Sequence, residues 1–414
     1  MKRNIWIFNH HATGQYLKRG GRHYWFAKFL KNEGYSPIVF SCNTKHGKFE
    51  NYFDIEGLWI EEKSEEINVP FVIVKSSKYK GNGAGRILNM IRFYRNIQKV
   101  AKEYASIHEK PDVIYASSVH PLTLVAGIKL AKFFKVKCIC EVRDLWPLSL
   151  VEYGYLKEDS LLTKVLYSGE HWIYKNADEI IFTAGGFNDY VLEKGWTKDI
   201  PISKVHYINN GTDLKAWKYN QKNYQIKDVD LSNKDIFKVV YAGSIRKVNN
   251  LGLLLDTAKE LKNTNIVFLI WGDGAEREAL EQRVKNESIN NVVFKGRVEK
   301  KYIPYITSQA DLNIAHNKPA KLFRFGISFN KIFDYLAAGK PILCDFESKY
   351  NPVIMMNAGI EVKDSSPKNV AESIKKISMM NENEYEEYCA NARSAAQQYD
   401  FVNLTKELCI VIEK

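Results

Sequence analysis

Short apolar runs alternate with longer amphipathic segments along almost the whole chain of 414 residues. The short runs are rich in Ile, Val and aromatic residues, which is typical of strands, and the longer segments have helical spacing. In the first half, strands are predicted in NIWIFN, PIVFS, DVIYAS, KCICEV, EIIFTA and KVHYIN. Repeated βα alternation of this kind predicts a mostly parallel, doubly wound sheet.

A polar stretch without helical or strand periodicity interrupts the alternation at residues 213–236, and we interpret it as a linker. A second βα series begins at FKVVYAGS and runs through NIVFLIWGDG, NVVFKGRV, ADLNIAH and KPILCDF to GIEVKD. We therefore predict an N-terminal domain over 1–212, a C-terminal domain over 237–395, and a helix over 396–414 that returns to the first domain. Both domains would be Rossmann-like α/β units facing a cleft, where ligands of such sheets bind.

Glycines and cations follow several of the predicted strands. The glycine pair Gly20–Gly21 leads into a helix, where backbone N–H groups can approach an anion. Each such loop alone is also consistent with a solvated surface loop. Their joint placement at strand ends predicts a site for a phosphorylated ligand, a nucleotide. The other residues of this kind are Arg246, Lys247, Gly272, Gly274, Arg297, Lys321 and Arg324.

Several well-known motifs are missing from the sequence. Neither Gly-x-Gly-x-x-Gly after the first strand nor the Walker loop occurs, so a dehydrogenase or a P-loop enzyme is not supported. The Asp-x-Asp at 228–230 lies in the predicted linker, and we interpret it as surface acids. The six cysteines form no Cys-x-x-Cys pair, so we expect no zinc site, no disulfide framework and a reducing compartment.

Positive charge is concentrated in one segment of the first half. The net charge is +12, and nine Lys or Arg against two acidic residues lie between Lys75 and Lys110. We expect the basic region Lys75–Lys102 to attach the protein peripherally to an anionic membrane. No nucleic-acid-binding motif accompanies the charge, so nucleic acid is not an expected partner. A spanning helix is not expected either, and the basic N-terminus is interpreted as leading into a first strand.

The blocks EVRDLWP and NKIFDYLAAGKP are the most specific features of the sequence, and GGRHYWFAKFLKNEG, INNGTD, VVYAGSI and WGDGAERE accompany them. With these blocks, spread over nearly the whole chain, the protein resembles the retaining glycosyltransferases of family four, which have the GT-B fold. It looks most like the branch that acts in bacterial surface polysaccharide synthesis. The resemblance implies a nucleotide-sugar donor on the second domain and an acceptor mainly on the first.

Residue roles follow from the same resemblance. It implies that Lys331 meets the donor diphosphate and that Asp334 binds the ribose; beyond the resemblance, we expect the nearby Arg246 and Lys247 to stabilise the diphosphate as well. Gly326 stands where the family has its first glutamate, and Ser244 and Asn249 replace a frequent Arg and Lys. The other expected donor contacts, most of them chosen for their placement after strands, are Gly20, Gly21, Gly243, Ser244, Gly272, Arg297, Val298, Arg324 and Asn330.

On the first domain, His120 resembles the family's cleft-facing histidine, which would orient sugar or acceptor. Arg143 and Asp144 resemble an acceptor-side pair, although an ion pair at a strand end is an equally simple interpretation.

The predicted activity is retaining transfer from a UDP-linked sugar to a lipid-linked glycan, for an O-antigen or capsule. Neither a metal nor another cofactor is expected, because cationic side chains would hold the diphosphate. The expected location is cytoplasmic, on the inner face of the plasma membrane. Two alternatives remain open: a non-hydrolysing UDP-sugar epimerase, and a non-catalytic nucleotide-sugar-binding protein, which the replacement by Gly326 suggests.

Overall fold

A computed structural model describes residues 3–414 and divides the chain into two compact units. Unit one contains the residues up to 209 together with 404–414, and unit two contains 210–403. Both units are α/β structures built on a sheet that is parallel or nearly so. The two Rossmann-like domains predicted from the βα alternation are therefore present.

Unit one is built on an eight-stranded sheet with the order β3-β4-β2-β1-β5-β6-β7-β8. Only β3 runs antiparallel, against β4. All five residues of β1 are buried, because parallel neighbours flank it and helices cover both faces of such a sheet. The strands are β1 (Asn4–Phe8), β2 (Ser36–Cys42), β3 (Trp59–Lys63), β4 (Pro70–Val74), β5 (Val113–Ser117), β6 (Lys137–Val142), β7 (Glu179–Phe182) and β8 (Val205–Tyr207).

Aromatic side chains pack the helices of unit one onto this sheet. The ring of Trp6 lies 4.9 Å from that of Phe40 and 5.7 Å, edge-on, from that of Tyr104. Burying each such side chain stabilises the fold by roughly 1.5–3 kcal/mol. The helices are α1 (Thr13–Leu17), α2 (Arg22–Asn32), α3 (Ala84–Ile107), α4 (Pro121–Phe134), α5 (Leu148–Glu152), α6 (Leu161–Asn176) and α7 (Phe187–Glu193).

Unit two has a six-stranded, all-parallel sheet with the order β11-β10-β9-β12-β13-β14. Its strands are β9 (Phe237–Ala242), β10 (Ile266–Trp271), β11 (Val292–Gly296), β12 (Leu312–Ala315), β13 (Ile342–Cys344) and β14 (Gly359–Glu361). Its helices are α8 (Leu214–Asn223), α9 (Val229–Ser232), α10 (Leu251–Glu260), α11 (Arg277–Asn286), α12 (Ile303–Ser308), α13 (Asn330–Ala338), α14 (Pro352–Met355), α15 (Pro367–Ser378) and α16 (Glu382–Gln398). The last helix, α17 (Phe401–Glu413), begins in unit two, and its residues from 404 onward belong to unit one.

The structure differs from the predicted linker at 213–236. This segment belongs to unit two and contains α8 and α9, whose N-termini are capped by Asp213 and Asp228. Side-chain capping stabilises such short polar helices although their apolar periodicity is weak. The prediction also omitted β3 and β4, which pair at one edge of the first sheet.

Among residues 3–414, no helix is both long enough and apolar enough to cross a membrane.

Candidate active site

Two loops after neighbouring strands of unit two run side by side at the carboxyl edge of the sheet. The Gly243 N–H donates to Trp271 O at 2.9 Å, and the Ile245 N–H donates to Asp273 O at 2.9 Å. A Cβ atom at Gly272 would lie 1.8 Å from the carbonyl oxygen of Gly243, so no side chain fits there. The glycine after β10 thus allows the two loops to touch, and their tips form one backbone surface.

Lys331, in the first turn of α13, points at this backbone surface. Its Nζ lies 4.3 Å from the centre of the Tyr241 ring and donates to Tyr241 Oη at 3.2 Å. A Cβ built on Gly243 would be 3.2 Å from the same Nζ. Burial, aided by Arg246 and opposed by Asp345, lowers the pKa of Lys331 to about 8. The ammonium group is therefore half-buried beside the glycine loop, where an anion can reach both.

Tyrosine hydroxyls fix the position of α13 relative to this loop. Tyr335 Oη accepts from Ala242 N at 2.9 Å and lies 3.3 Å from Ala242 O, at the end of β9. Tyr241 Oη donates to Ser244 O at 2.9 Å. The helix is anchored on its apolar side by the buried Ile332, Phe333 and Leu336. Lys331 is consequently held at the strand end rather than free in solvent.

Asp334 lies one turn further along α13. Its side chain is half-buried and makes no hydrogen bond or ion pair with any of residues 3–414. Burial raises the pKa of this carboxyl group, and Lys300 opposes the shift. A partly buried carboxylate with free acceptor atoms suits a ligand that offers hydroxyl groups.

The loop after β9 carries the other cations predicted to bind the donor diphosphate. Arg246 is exposed and its Nε donates to Ser244 Oγ at 3.2 Å, while Ser244 Oγ donates to Asn249 Oδ1 at 3.0 Å. The two residues that replace the frequent Arg and Lys are thus bonded to each other. Arg246 lies close enough to affect the pKa of Lys331, and Lys247 is exposed in the 3₁₀ turn Lys247–Asn249.

The remaining predicted donor contacts are spread over other loops of unit two. Arg324 stacks its guanidinium on Phe325 at 4.3 Å and donates to Lys321 O at 2.7 Å. Gly326 has φ of +97°, a backbone conformation that favours glycine and would strain a glutamate. Arg297 and Asn330 are exposed, and Val298 is half-buried.

A buried His–Asp pair beside Lys331 was not among the sequence candidates. His316 follows β12 and Asp345 follows β13, and His316 Nδ1 contacts Asp345 Oδ2 closely. The other ring nitrogen, Nε2, donates to Asn250 O at 2.9 Å. Although burial opposes it, Asp345 raises the pKa of His316. The only sequence signal for this pair is that both residues lie near the end of a predicted strand segment.

The Asp-x-Asp at 228–230 has a structural role. Both carboxylates bind Lys295, with Asp228 Oδ2 at 2.7 Å from its Nζ, and Asp228 also caps α9.

In unit one, four histidines gather at the carboxyl edge of the sheet; we call them the histidine cluster. His10 and His11 follow β1, His46 lies beyond β2, and His120 follows β5. Ring centres are 4.7 Å apart for His10 and His11, 4.8 Å for His11 and His46, and 4.8 Å for His10 and His120. Because β1 lies between β2 and β5, this is the position where the strand order reverses and ligands of open α/β sheets bind.

The inner histidines of the cluster are neutral. Burial, reinforced by neighbouring histidines and Arg86, holds the pKa of His10 and His11 well below the usual value. The same causes lower the pKa of His120 to about 3. His10 Nδ1 and His120 Nε2 are 2.6 Å apart, so one of them donates to the other.

Asn89, on α3, contributes a buried amide beside the cluster. Its Nδ2 donates to Ser77 O at 2.6 Å, and its Oδ1 has no hydrogen-bond partner among residues 3–414. His10 Nε2 and His120 Nδ1 are likewise without a partner in this part of the chain.

The other candidates predicted in unit one are the glycine pair Gly20–Gly21 and the pair Arg143 and Asp144. Gln15 Oε1 accepts from His23 N at 2.9 Å and from Tyr24 N at 3.4 Å, so these donors at the start of α2, after Gly20 and Gly21, are already used. Arg143 follows β6, and its N–H donates to Ser118 Oγ at 2.9 Å, beside the loop of His120. The Asp144 side chain is exposed.

Both halves of the chain match family models. Residues 223–398 match the model described as Glycosyl transferases group 1, and residues 24–216 match Glycosyltransferase Family 4. Among curated proteins, the chain is similar to a probable glycosyltransferase, WbjE of Pseudomonas aeruginosa, with 21% identity over 236 residues. That match spans 56% of this chain and 57% of the relative.

Solved structures share the fold over the whole chain. Anabaena Alr3699/HepE, in complex with UDP and glucose, has a TM-score of 0.65 at 15% identity, covering 99% of both chains. An E. coli protein bound with UDP-2-fluoro glucose, described as trehalose-6-phosphate, has a TM-score of 0.71 at 11% identity and covers 99% and 98%. At such identities the likeness shows the fold of two Rossmann-like domains.

Proposed function

We propose that this chain, which belongs to the glycosyltransferases with the GT-B fold, transfers a sugar from a UDP-linked donor to a lipid-linked glycan with retention of configuration. The observation that carries the proposal is the half-buried ammonium of Lys331, aimed at the touching glycine loops of unit two. The product would belong to a surface polysaccharide of the O-antigen or capsule type.

The costly step is breaking the bond between the anomeric carbon and the donor phosphate. Negative charge then grows on the leaving diphosphate, and groups fixed in advance stabilise it best. Lys331 is fixed by Tyr241, and the N-terminus of α13 adds a positive dipole end. Arg246, exposed near Lys331, supplies a second cation that can close on the phosphate. These cations take the role that a divalent metal plays in other transferases.

The acceptor hydroxyl loses its proton as its oxygen attacks the anomeric carbon. His120 is an unsuitable base, because burial lowers its pKa to about 3 and it would not hold the proton at neutral pH. We assign the proton to an oxygen of the leaving phosphate on the same face of the sugar, which fits retention. His120 then has a positioning role.

The choice of UDP is supported by similar structures that contain UDP or a UDP-sugar. In this chain, Asp334 offers free carboxylate oxygens that suit ribose hydroxyls. A hydrolysis screen with several nucleotide sugars tests the choice, and UDP-linked donors should be cleaved fastest. Preferred cleavage of a GDP- or ADP-linked donor would contradict it. An epimer formed from the donor alone, without acceptor, would identify an epimerase instead.

We also propose that unit one attaches to the anionic inner face of the plasma membrane, in the cytoplasm. Helix α4 packs against both α3 and α6. A cation lies over an aromatic ring at each contact: Lys102 of α3 over Phe133 of α4 at 4.2 Å, and Lys132 of α4 over Trp172 of α6 at 5.6 Å. The neighbouring α6 exposes an apolar stripe of four residues at helical spacing. These are Leu161, Leu162, Val165 and Leu166.

The attachment can be tested by liposome flotation. Each cation near the surface contributes about 1 kcal/mol of attraction to anionic lipid. We expect flotation that requires anionic lipid and weakens for K99Q/K102Q on α3 and for V165D on α6. A K375Q variant on the exposed face of α15 is the control. Flotation that is independent of anionic lipid would contradict the proposal.

A further inference from the structure

The histidine cluster has a neutral floor with an incomplete hydrogen-bond chain. His10 Nδ1 and His120 Nε2 share one hydrogen bond at 2.6 Å, while the other ring nitrogens, His10 Nε2 and His120 Nδ1, have no partner among residues 3–414. His120 is 2% exposed, while His11 is half-buried and His46 is exposed. The cluster thus has a closed interior and an open outer side.

Arg86 lies on the side of α3 that faces this cluster. Asn89 and Phe93 follow it at intervals of three and four residues and therefore share its helical face. The Phe93 ring is 4.4 Å from that of His10, and Asn89 reaches Thr44 beyond β2 at 3.1 Å. The Arg86 guanidinium bonds only to Asn82 Oδ1, at 3.1 Å, among residues 3–414.

Arg143 approaches the same place from the end of β6. Its backbone is tied to Ser118, two residues before His120. Both guanidiniums act on His11 and on Asp144, yet neither forms an ion pair with Asp144 or with any other acid of the described chain. Since neither guanidinium has an acidic partner, an anion bound beside both would supply one.

We propose that Arg86 and Arg143 form a site for a diphosphate group, with the histidine cluster as its floor. This inference rests on the proposed function, in which the diphosphate is that of the lipid-linked acceptor. Guanidinium groups bind phosphate oxygens in pairs, which suits a group with several oxygens. Neutral imidazoles such as His11 add N–H donors without adding repulsion between cations. The site also places the lipid-proximal end of the acceptor at the carboxyl edge of the sheet of unit one.

Calorimetric titration of the full chain, saturated with UDP, tests the site. Farnesyl diphosphate, a short soluble isoprenyl diphosphate, should bind at one site, and R86Q and R143Q should each weaken binding at least about tenfold. R86K keeps the charge but loses the paired N–H donors, so it should bind more weakly than the wild type and more tightly than R86Q. R92Q is the matched control, since it makes the same substitution on an exposed face of the same helix.

Two further ligands identify what is recognised. Pyrophosphate that binds as tightly as farnesyl diphosphate, with the same loss in R86Q, would assign the site to soluble diphosphates. Tighter farnesyl diphosphate would assign it to a lipid-linked one. Farnesol that binds equally well, or farnesyl diphosphate binding that survives both Arg substitutions, would overturn the site. If the chain does not bind UDP when UDP is titrated alone, before the other ligands, the proposed function itself would be contradicted.

Discussion

The carboxyl edges of the two sheets carry different kinds of buried polar group, one charged and the other neutral. Unit two presents a half-buried ammonium, Lys331, against backbone and an aromatic ring. Unit one presents buried imidazoles that stay neutral, with the cations Arg86 and Arg143 close enough to lower the pKa of His11. One architecture thus supports a charged group that is fixed in advance and an uncharged floor between cations. The first arrangement suits charge that develops during a reaction, and the second suits a ligand that brings its charge with it.

The difference arises from what surrounds each group. Lys331 is beside Tyr241, whose ring and hydroxyl favour a cation, and Asp345 also stabilises its charged form. His10 and His120 have one another and Arg86 as neighbours, so protonation would add a charge among like charges. The predictions below separate these two environments.

Removal of the Lys331 ammonium should give the largest effect. We expect K331A to lower turnover on the order of 100-fold, because it removes a fixed cation from the leaving diphosphate. Steady-state kinetics with the preferred donor measures this, with K375A on α15 as the control. Turnover within twofold of the wild type would remove Lys331 from its assigned role.

The pH dependence of kcat/KM should reveal the ionisation of Lys331. With a pKa of about 8, Lys331 is charged below pH 8 and loses its proton above it. We expect kcat/KM to fall about tenfold for each pH unit well above 8. An arginine stays protonated there, so K331R should lack this alkaline limb. An identical limb in K331R would mean that another group titrates.

Low pH should lower the stability of unit one because of its buried histidines, and this effect should be smaller than the two effects at Lys331. In the unfolded chain these histidines bind protons below about pH 6.5, whereas folded His120 resists protonation down to about pH 3. Stability should therefore fall as the pH drops below 6.5, by up to about 1.4 kcal/mol per pH unit for each such histidine.

Urea unfolding of unit one at pH 7 and pH 5, followed by amide exchange, measures this loss. The H120Q variant lacks one of the titrating groups, so its stability should depend less steeply on pH. Equal pH dependence in H120Q and the wild type would show that His120 is not held neutral by the fold.

Parts of the candidate site were readable from local sequence. The block NKIFDYLAAGKP predicts a helix that opens after a loop and stops at a glycine, and α13 spans Asn330–Ala338 with Gly339 in the left-handed region. That pattern alone puts Lys331 and Asp334 in the opening turns. Capped short helices such as α8 and α9 were missed, because a cap is one side chain and leaves little periodicity.

The sequence by itself determined the two βα series, most of the strands and the helix that carries Lys331, since each is set by the local spacing of apolar residues. Only the tertiary structure decided that His10, His46, Arg86 and His120 meet, because they follow strands or begin a helix far apart in the chain. Their neighbourhood depends on the strand order β2-β1-β5, which long-range pairing creates. Their neutrality depends on burial, which no local pattern reveals.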